Sequence, residues 1–455
     1  MMLNQFIRMM KAESIPESVI RTFCIYYNQL VKGEMGIIPS SEINPPREDN
    51  LLQYSALNDY RKQSMLKQIV VIKLNGGLGT SMGLSAAKSL LPVKGNMNFL
   101  DIIVRQILLL RVTTGYDVTL MFMNSFHTDE DTKKYLQKYP DLEKQSLPVT
   151  FQQNKFPRIR QDNLKPYDNP DPKKRWNPPG HGDLYTTLYC TGLLDKMIDA
   201  GFRYIFVSNS DNLGATIDPA IPSYMAANDL HFVMEVCHRT EMDKKGGHLC
   251  EDKNGQLMLR EIAQCPENEL SEFQNIALYK YFNTNNLWID LKALQWYLLT
   301  EDGTILLPLI VNPKVVDGTP IYQLETAMGA AISLFKNSRA VVVPRTRFSP
   351  VKKNNDLLAI WSDLYELNDQ YHIVLKQGIE QVPTIELDER YYGNINQMME
   401  HFKDGVPSLI RCKELKITGD ISFGEDVICE GKVSLYADHP VYIKSKILTG
   451  EIVFN

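Results

Sequence analysis

The chain has 455 residues, of which 44% are hydrophobic and 23% charged, and it carries a net charge of −5 at pH 7. This composition is typical of a globular protein with more than one domain. The acidic balance argues against a nucleic-acid-binding protein, and no apolar run is long enough to span a membrane. The seven cysteines are scattered and residues 1–17 lack the apolar core of a secretory signal, so we expect reduced thiols and a cytoplasmic protein.

The first segment, residues 1–65, is expected to be helical. Apolar residues recur at helical spacing between positions 15 and 31, and Pro39 then interrupts the pattern. We expect this segment to cover the next domain and to carry no chemistry of its own.

A glycine-rich run carries the strongest functional signal in the sequence. The β-branched residues at 69–72 predict a buried strand, and Gly76, Gly77 and Gly79 follow it at once. Glycines let backbone N–H groups approach a phosphate or a base, and Lys88 adds a mobile positive charge downstream. The run therefore predicts a nucleotide-binding turn after a strand.

Two familiar nucleotide-binding motifs do not fit this run. A P-loop has glycine directly before its lysine, whereas Ala87 precedes Lys88. A dinucleotide fingerprint has the spacing G-x-G-x-x-G, whereas the glycine that follows Gly77 and Gly79 is Gly83, one residue late. The spacing argues against P-loop kinases and ATPases and against Rossmann dehydrogenases.

Between about 68 and 345, strand-like and helical patterns alternate, which predicts a mostly parallel α/β sheet. Further strands are expected at 118–123, 204–207 and 231–236, and helices at 100–111 and 185–200. Ligands of such sheets sit beyond the carboxyl ends of the strands. Polar clusters follow the strands of this chain, so the sequence predicts a ligand crevice at that edge.

Several residues of this region could handle phosphate, metal or sugar. His181 lies between two glycines in a proline-bounded loop, where it could donate to a phosphate. Asp211 follows the third strand and could bind Mg²⁺, with a helix cap or an Asx turn as the alternative. The amide-rich turn at 282–288 suits sugar hydroxyls or serves the turn alone. The basic segment 344–353 could neutralise a triphosphate or form a solvated charge run.

After about 405 the pattern changes to short alternating strands. Apolar residues recur at a spacing of six, at Leu415, Ile421, Val427 and Val433. This spacing favours a small β-helix, and a small β-sandwich is the alternative. A module of this kind could mediate self-association.

Several runs, taken in order over nearly the whole chain, carry a resemblance to one family. They include KLNGGLGTSMG at 73–83, NSFHTDEDTKK at 124–134, PPGHGD at 178–183, YIFVSNSDNLGAT at 204–216, FNTNNLWI at 282–289 and PRTRFSPVK at 344–352. The chain resembles the UTP–glucose-1-phosphate uridylyltransferases, or UDP-glucose pyrophosphorylases, of the eukaryotic type. It departs from them at 84–87, which read Leu-Ser-Ala-Ala where many members have Gly-Pro directly before the lysine.

The resemblance implies the fold class. An α/β, Rossmann-like nucleotidyltransferase domain with a mixed, mostly parallel sheet is expected, followed by a C-terminal left-handed parallel β-helix. The expected division is an N-terminal helical segment at 1–65, a catalytic domain at 66–365, a linking segment at 366–404 and the β-helix at 405–455. The last of these could form homo-oligomers.

The resemblance also implies a reaction in which UTP and glucose 1-phosphate give UDP-glucose and pyrophosphate, reversibly and with Mg²⁺. The attack is direct and in line. The residues expected to neutralise or bind phosphates are Lys88, Lys352 and His181, and the expected metal ligand is Asp211. Those expected to hold uridine are Leu74, Gly76, Gly77, Met123, Gln153 and Gly180, and those expected to face glucose are Asn209, Gly247, Glu261 and Asn286.

Two alternatives stay open at this point. The same transfer could act on another sugar 1-phosphate, such as that of galactose or N-acetylglucosamine. A non-catalytic nucleotide-sugar-binding protein belongs to a different class, and the presence of Lys88, Asp211 and Lys352 argues against it. No nucleic-acid or membrane partner is expected.

Overall fold

The computed structural model describes residues 2–79, 82–84, 86–379 and 381–454. Thr80, Ser81 and Ser85, which belong to the glycine-rich run and to the segment before Lys88, lie outside these residues. The α-helices of the described part are α1 (Leu3–Ala12), α2 (Glu17–Val31), α3 (Phe99–Thr114), α4 (Asp129–Leu136), α5 (Leu184–Cys190), α6 (Leu193–Asp199), α7 (Ala220–Ala227), α8 (Leu270–Phe273), α9 (Leu291–Thr300), α10 (Asn354–Trp361), α11 (Glu389–Tyr392) and α12 (Ile395–His401).

The strands of the first half are β1 (Ile43–Asn44), β2 (Leu51–Gln53), β3 (Ile69–Asn75), β4 (Pro92–Lys94), β5 (Met97–Asn98), β6 (Thr119–Asn124), β7 (Thr150–Gln152), β8 (Phe156–Pro157), β9 (Ile159–Arg160), β10 (Trp176–Asn177), β11 (Tyr204–Asn209) and β12 (Phe232–His238). Those of the second half are β13 (His248–Asp252), β14 (Leu257–Arg260), β15 (Tyr281–Asp290), β16 (Ile310–Val316), β17 (Thr319–Glu325), β18 (Ser338–Val342), β19 (Tyr365–Leu367), β20 (Ile373–Leu375), β21 (Thr384–Leu387), β22 (Cys412–Thr418), β23 (Ile421–Phe423), β24 (Val427–Ala437), β25 (Val441–Ile443) and β26 (Lys446–Phe454).

A mixed, mostly parallel sheet forms the centre of the molecule, as the alternating pattern predicts. Its strand order is β2-β18-β12-β15-β11-β3-β6-β7. Every neighbouring pair along this path is parallel except the two made by β15, which runs antiparallel to β12 and to β11. The four strands expected from apolar runs are β3, β6, β11 and β12, so these predictions are confirmed.

Both faces of this sheet are covered, which explains why its strands read as continuous apolar runs. Side chains along β3 alternate between two cores. Val71 packs in the core that contains α3, while Val70 and Ile72 pack in the core that contains α5, α6 and α9. All seven residues of β3 are buried.

The expected helix at 185–200 is two helices in the structure. Gly192 separates α5 from α6 and adopts a left-handed backbone with φ of +66°. Only glycine adopts this conformation without steric cost, so the chain turns here and the helix restarts.

The carboxyl ends of three strands meet at one edge of the sheet. Leu74 of β3 is aligned with Asn209 of β11, and Asn75 is aligned with Asn124 of β6. This edge is where a parallel sheet places its ligands. The register of the strands therefore brings these polar residues together at the predicted crevice.

The N-terminal helices form a separate small core with the outer β8–β10 region. Phe6, Phe23, Phe156 and Trp176 are among its buried members. The first segment is not wholly helical, because β2 joins the central sheet beside β18. Among the described residues, no helix combines the length and the apolar composition that are needed to cross a membrane.

The C-terminal strands pair in parallel, which is the arrangement of stacked coils. One sheet has the order β21-β22-β24-β26, and β23 pairs with β25. The four residues at six-residue spacing are all buried: Leu415, Ile421, Val427 and Val433. The antiparallel pairs of a β-sandwich are not found among these strands of the described chain.

Candidate active site

The glycine-rich turn brings Lys88 back to the end of β3. Leu78 pairs with Ala87 in an isolated antiparallel bridge, and the Lys88 N–H donates to Gly77 O at 3.2 Å. The Lys88 ammonium donates to Asp211 Oδ2 at 2.6 Å and also to Val351 O. Turn, lysine and carboxylate therefore meet at the carboxyl edge of the sheet.

Asp211 offers one oxygen that the protein leaves unused. Its Oδ1 is buried and has no hydrogen-bond partner among the described residues. Mg²⁺ takes one or two carboxylates and fills its remaining positions with water and phosphate oxygens, so this donor set fits the ion. Among the described residues, no group of three or more His, Cys, Asp or Glu side chains could enclose a metal.

A cavity of about 340 Å³ opens beside the Lys88–Asp211 pair. The site residues predicted from the sequence that line it are Gly180, His181, Asn209, Asp211, Gly247, Glu261 and Lys352. Its apolar walls include Ile310, Phe282 and Phe348. Residues far apart in the chain thus converge on one space of the size of a small polar ligand.

His181 is held by the backbone of the segment that follows β17. Gly180 has φ of +80°, and a Cβ there would collide with the Thr326 backbone. The Met328 N–H donates to His181 Nδ1 at 2.9 Å, so the ring proton sits on Nε2. Burial lowers the pKa of His181 to about 4. His181 is therefore a neutral hydrogen-bond donor at pH 7, which can donate to a phosphate but adds no positive charge.

Glu261 and Gly247 form one side of the cavity. A Cβ at Gly247 would lie 2.6 Å from the Glu261 carboxylate, so the position requires the absence of a side chain. Burial raises the pKa of Glu261 to about 7, and the Lys352 ammonium opposes part of that rise. A carboxyl in this position can accept hydrogen bonds from hydroxyls.

Lys352 supplies positive charge to the same cavity. Its ammonium lies 5.3 Å from the ring centre of Phe282 and 5.6 Å from that of Phe348. Its backbone N–H is used at the start of α10, where it donates to Asp356 Oδ2 at 2.8 Å. The side chain is exposed, so the ammonium can reach an anion in the cavity.

A second group of predicted residues lies outside the cavity lining. The Gln153 N–H donates to Asn124 O at 2.8 Å, and its side-chain oxygen is buried without a partner among the described residues. A Cβ at Gly76 would lie 2.5 Å from Gln153 Nε2. Leu74 and Met123 are aligned on neighbouring strands nearby. The Gln153 side-chain amide thus lies beside the glycine turn, where it could form hydrogen bonds with a ligand.

Asp183 connects the two groups, and sequence reasoning did not single it out. Its carboxylate accepts from the Asn154 N–H at 2.7 Å and from the Thr187 hydroxyl at 2.8 Å. The segment after Gln153 is thereby tied to the helix after His181. Burial raises the pKa of Asp183 to about 6, whereas these hydrogen bonds lower it. The sequence did contain one signal for this contact: Asp183 and Thr187 are four residues apart at the start of a helix, a spacing that brings two side chains together.

Asn286 does not line the cavity. It is fully buried, and its Nδ2 donates to Glu235 Oε2 at 3.1 Å and to Arg347 O at 3.3 Å. The pairing of β15 with β12 shifts register here, and Asn285, with φ of +59°, faces the cavity instead. A β-bulge of this kind redirects side chains, and simple alternation does not predict it.

The basic segment is largely neutralised within the protein. Arg345 pairs with Asp243 at 2.7 Å, and Arg347 pairs with Glu235 at 2.6 Å. Of the two alternatives that the sequence left open, neutralising a triphosphate does not fit these two arginines, because each is paired with a carboxylate of the protein. Lys352 is the basic residue of the segment that lines the cavity.

Comparisons with known proteins show the family of the chain. A protein-family model described as UTP–glucose-1-phosphate uridylyltransferase matches residues 20–430. UTP–glucose-1-phosphate uridylyltransferase 2 of Dictyostelium discoideum is 39% identical over 91% of this chain and 82% of its own. The enzyme of that family name from Musa acuminata is 38% identical over 97% of this chain and 94% of its own.

Solved structures give the same result. A crystal structure of UDP-glucose phosphorylase from Trypanosoma brucei is 42% identical, covers both chains fully and superposes with a TM-score of 0.92. A variant UDP-glucose pyrophosphorylase from Leishmania major, solved in complex with UDP-glucose, is 40% identical over 99% of each chain, with a TM-score of 0.91. This chain belongs to the UTP–glucose-1-phosphate uridylyltransferase family.

Proposed function

We propose that the chain transfers the uridylyl group of UTP to glucose 1-phosphate, giving UDP-glucose and pyrophosphate. The reaction is reversible and proceeds by direct in-line attack of the sugar phosphate oxygen on the α-phosphorus of UTP. Membership of the family supports this activity, and the convergence of Lys88, Asp211 and Lys352 at one crevice is the observation that carries it.

The uridine would lie beside the glycine turn. Gly76 and Gly77 present backbone without side chains, and the unused Gln153 oxygen can accept the N–H of the uracil edge. The proposed uridine site consists of Leu74, Gly76, Gly77, Met123, Gln153 and Gly180. An amide whose donor and acceptor both face the base distinguishes uracil from cytosine, which presents a different pattern.

Charge neutralisation dominates the chemistry of the phosphate region. Two phosphate anions repel each other, so attack is slow unless fixed positive groups face the developing charge. Lys88 and Lys352 supply that charge, and His181 donates a neutral hydrogen bond from Nε2. Asp211 would hold Mg²⁺, which when bound neutralises phosphate oxygens. The attacking phosphate is already ionised, so no general base is required.

The glucose would occupy the cavity between Glu261, Gly247 and Asn209. Glu261 accepts hydroxyl hydrogens, and the absence of a side chain at Gly247 lets the Glu261 carboxylate keep this position. Asn286, which was expected to face the sugar, would have an indirect role. Its hydrogen bond to Glu235 would hold the bulge that places Asn285 at the cavity.

We also propose the finer architecture that the resemblance implies. The parallel C-terminal strands support a left-handed β-helix, which could mediate homo-oligomers. The proposed division is 1–65, 66–365, 366–404 and 405–455. Strand β21, which lies in the segment 366–404, already pairs in parallel with β22 of the C-terminal module. All seven cysteines are free thiols, which supports a cytoplasmic location.

The direct test is pyrophosphate release from UTP across a panel of sugar 1-phosphates, with no-sugar and EDTA controls. Release that needs glucose 1-phosphate and Mg²⁺ is the expected result. Faster release with galactose or N-acetylglucosamine 1-phosphate would reassign the sugar. Folded protein that binds UTP and releases nothing with any sugar would replace the transferase with a binding protein.

A further inference from the structure

One buried ion pair anchors the segment that carries Lys352. Arg347 Nε donates to Glu235 Oε2 at 2.7 Å, and Arg347 Nη2 donates to Glu235 Oε1 at 2.6 Å. Glu235 lies within β12 and is wholly buried, and the Arg347 side chain is 8% exposed. A two-pronged pair at this depth fixes the direction of the guanidinium as well as its position.

Further partners hold both members of the pair. Trp288 Nε1 donates to Glu235 Oε1 at 2.9 Å, and Asn286 Nδ2 donates to the other oxygen at 3.1 Å. Arg347 Nη2 also donates to Thr216 O at 2.9 Å. Buried charges that bond to several elements at once stiffen their surroundings.

The backbone beyond Arg347 connects this pair to the metal-binding edge. Asn212 is wholly buried, its Nδ2 donates to Arg347 O at 3.2 Å, and its Oδ1 accepts from the Ser349 N–H at 3.0 Å. The Val351 N–H then donates to Asp211 O at 3.3 Å. The segment is thus bound at successive points from the ion pair up to the residue before Lys352.

We propose that Glu235 and Arg347 are positioning residues that set the place of the Lys352 ammonium relative to Asp211. Neither side chain lines the cavity, so each acts through Lys352 and not on the substrate. The inference rests on the proposed function. Transition-state contacts are sensitive to displacement, and an error of about 1 Å can cost about 100-fold in rate.

The test compares one double substitution in two backgrounds. Glu235→Gln with Arg347→Met removes both charges of the pair together, so neither partner is left as an unpaired buried charge. We expect kcat to fall about 10- to 100-fold, with the Kd of UTP changed by less than about threefold. In a Lys352→Ala background the same double substitution should cost less than about twofold, because the group that the pair positions is gone.

Arg203→Met with Asp290→Asn is the matched control, because it also removes both charges of a pair. Arg203 Nε donates to the buried Asp290 carboxylate at 3.0 Å, and this pair lies at the opposite end of β11. Its loss is expected to leave kcat unchanged. Thermal unfolding of each variant reports whether it folds.

An equal loss of kcat in both backgrounds, or an unchanged kcat, would overturn the positioning role. Absence of transfer by the unsubstituted chain would instead refute the proposed function. If the double variant does not fold, Arg347→Lys replaces it, because a lysine keeps the charge beside Glu235 but lacks the planar fork. For Arg347→Lys we expect a smaller loss of kcat, which again shrinks in the Lys352→Ala background. Full activity of Arg347→Lys would count against the proposal.

Discussion

Lys88 Nζ lies 2.6 Å from Asp211 Oδ2, although 123 positions separate the two residues in the sequence. The two side chains are only 18% and 20% exposed. The pair joins the turn after β3 to the end of β11, and the Lys88 ammonium also reaches Val351 O. In the proposed function, Lys88 would contact a UTP phosphate and Asp211 would bind the cation, for which its unpaired Oδ1 is available among the described residues.

Asp211→Asn tests the proposed metal ligand. We expect activity to fall at least about 1,000-fold, because the remaining amide oxygen is a weaker ligand for a hard cation. We also expect Mg²⁺ to lose its effect on the Kd of UTP, measured by titration calorimetry with and without the ion. Lys88→Met should weaken UTP binding in both conditions and keep the Mg²⁺ effect. A Mg²⁺ effect that survives Asp211→Asn would place the ion elsewhere.

Lys352→Ala removes a cation from the cavity without opening the protein core. We expect kcat to fall about 100- to 1,000-fold while the Kd of UTP changes little, because the ammonium acts on charge that develops in the transition state. Steady-state kinetics and UTP titration measure the two quantities. Lys353→Ala is the control, because Lys353 is exposed and does not line the cavity. Equal losses in turnover and affinity would contradict this role.

Glu261 gives the stability of the protein a pH dependence. Burial raises the pKa of Glu261 from 4.5 to about 7. A carboxyl with a raised folded-state pKa favours the folded state when protonated, so its contribution is full below pH 4.5 and is lost as the pH rises to about 7. Denaturant titrations should therefore show the unfolding free energy falling, relative to Glu261→Gln, across that interval. Parallel profiles for the two proteins would disprove the shift.

Gly76→Ala tests the contact between the glycine turn and Gln153. The new Cβ would lie 2.5 Å from Gln153 Nε2, so the amide must move away from its position. We expect UTP affinity to fall about tenfold, the cost of one misplaced hydrogen bond. In a Gln153→Ala background the loss should shrink to less than about twofold. An undiminished loss there would show that the new methyl group acts on the uridine directly and not through Gln153.

Local patterns in the sequence predicted much of the fold. Strands β3 and β11 follow from β-branched apolar runs, because a strand buried on both faces needs apolar residues throughout. The spacing of Leu415, Ile421 and Val427 predicted their burial in the C-terminal module. Gly180 and its neighbours marked the His181 loop. Each of these signals lies within a short window of the chain, where the spacing of apolar residues and glycines indicates the local secondary structure.

Other features could not be read from the sequence. The sequence places Asn285 and Asn286 side by side, and only the bulge in β15 decides which of them faces the cavity. Arg347 and Lys352 lie in one basic segment. Glu235, 112 positions from Arg347, neutralises that arginine, whereas Lys352 lines the cavity. Burial likewise makes His181 a neutral donor.

The sequence by itself determined strands β3, β6, β11 and β12, the glycine turn, the polar residues at the strand ends and the family to which the chain belongs, whereas the amide-rich segment 282–288, expected as a turn, lies within β15. The tertiary structure decided which charges are neutralised, which side chains reach the cavity and which ring nitrogen of His181 carries the proton. The physical reason is distance along the chain. Backbone period and local conformation act over a few residues, whereas ion pairing, burial and strand register depend on segments that meet only in the folded protein.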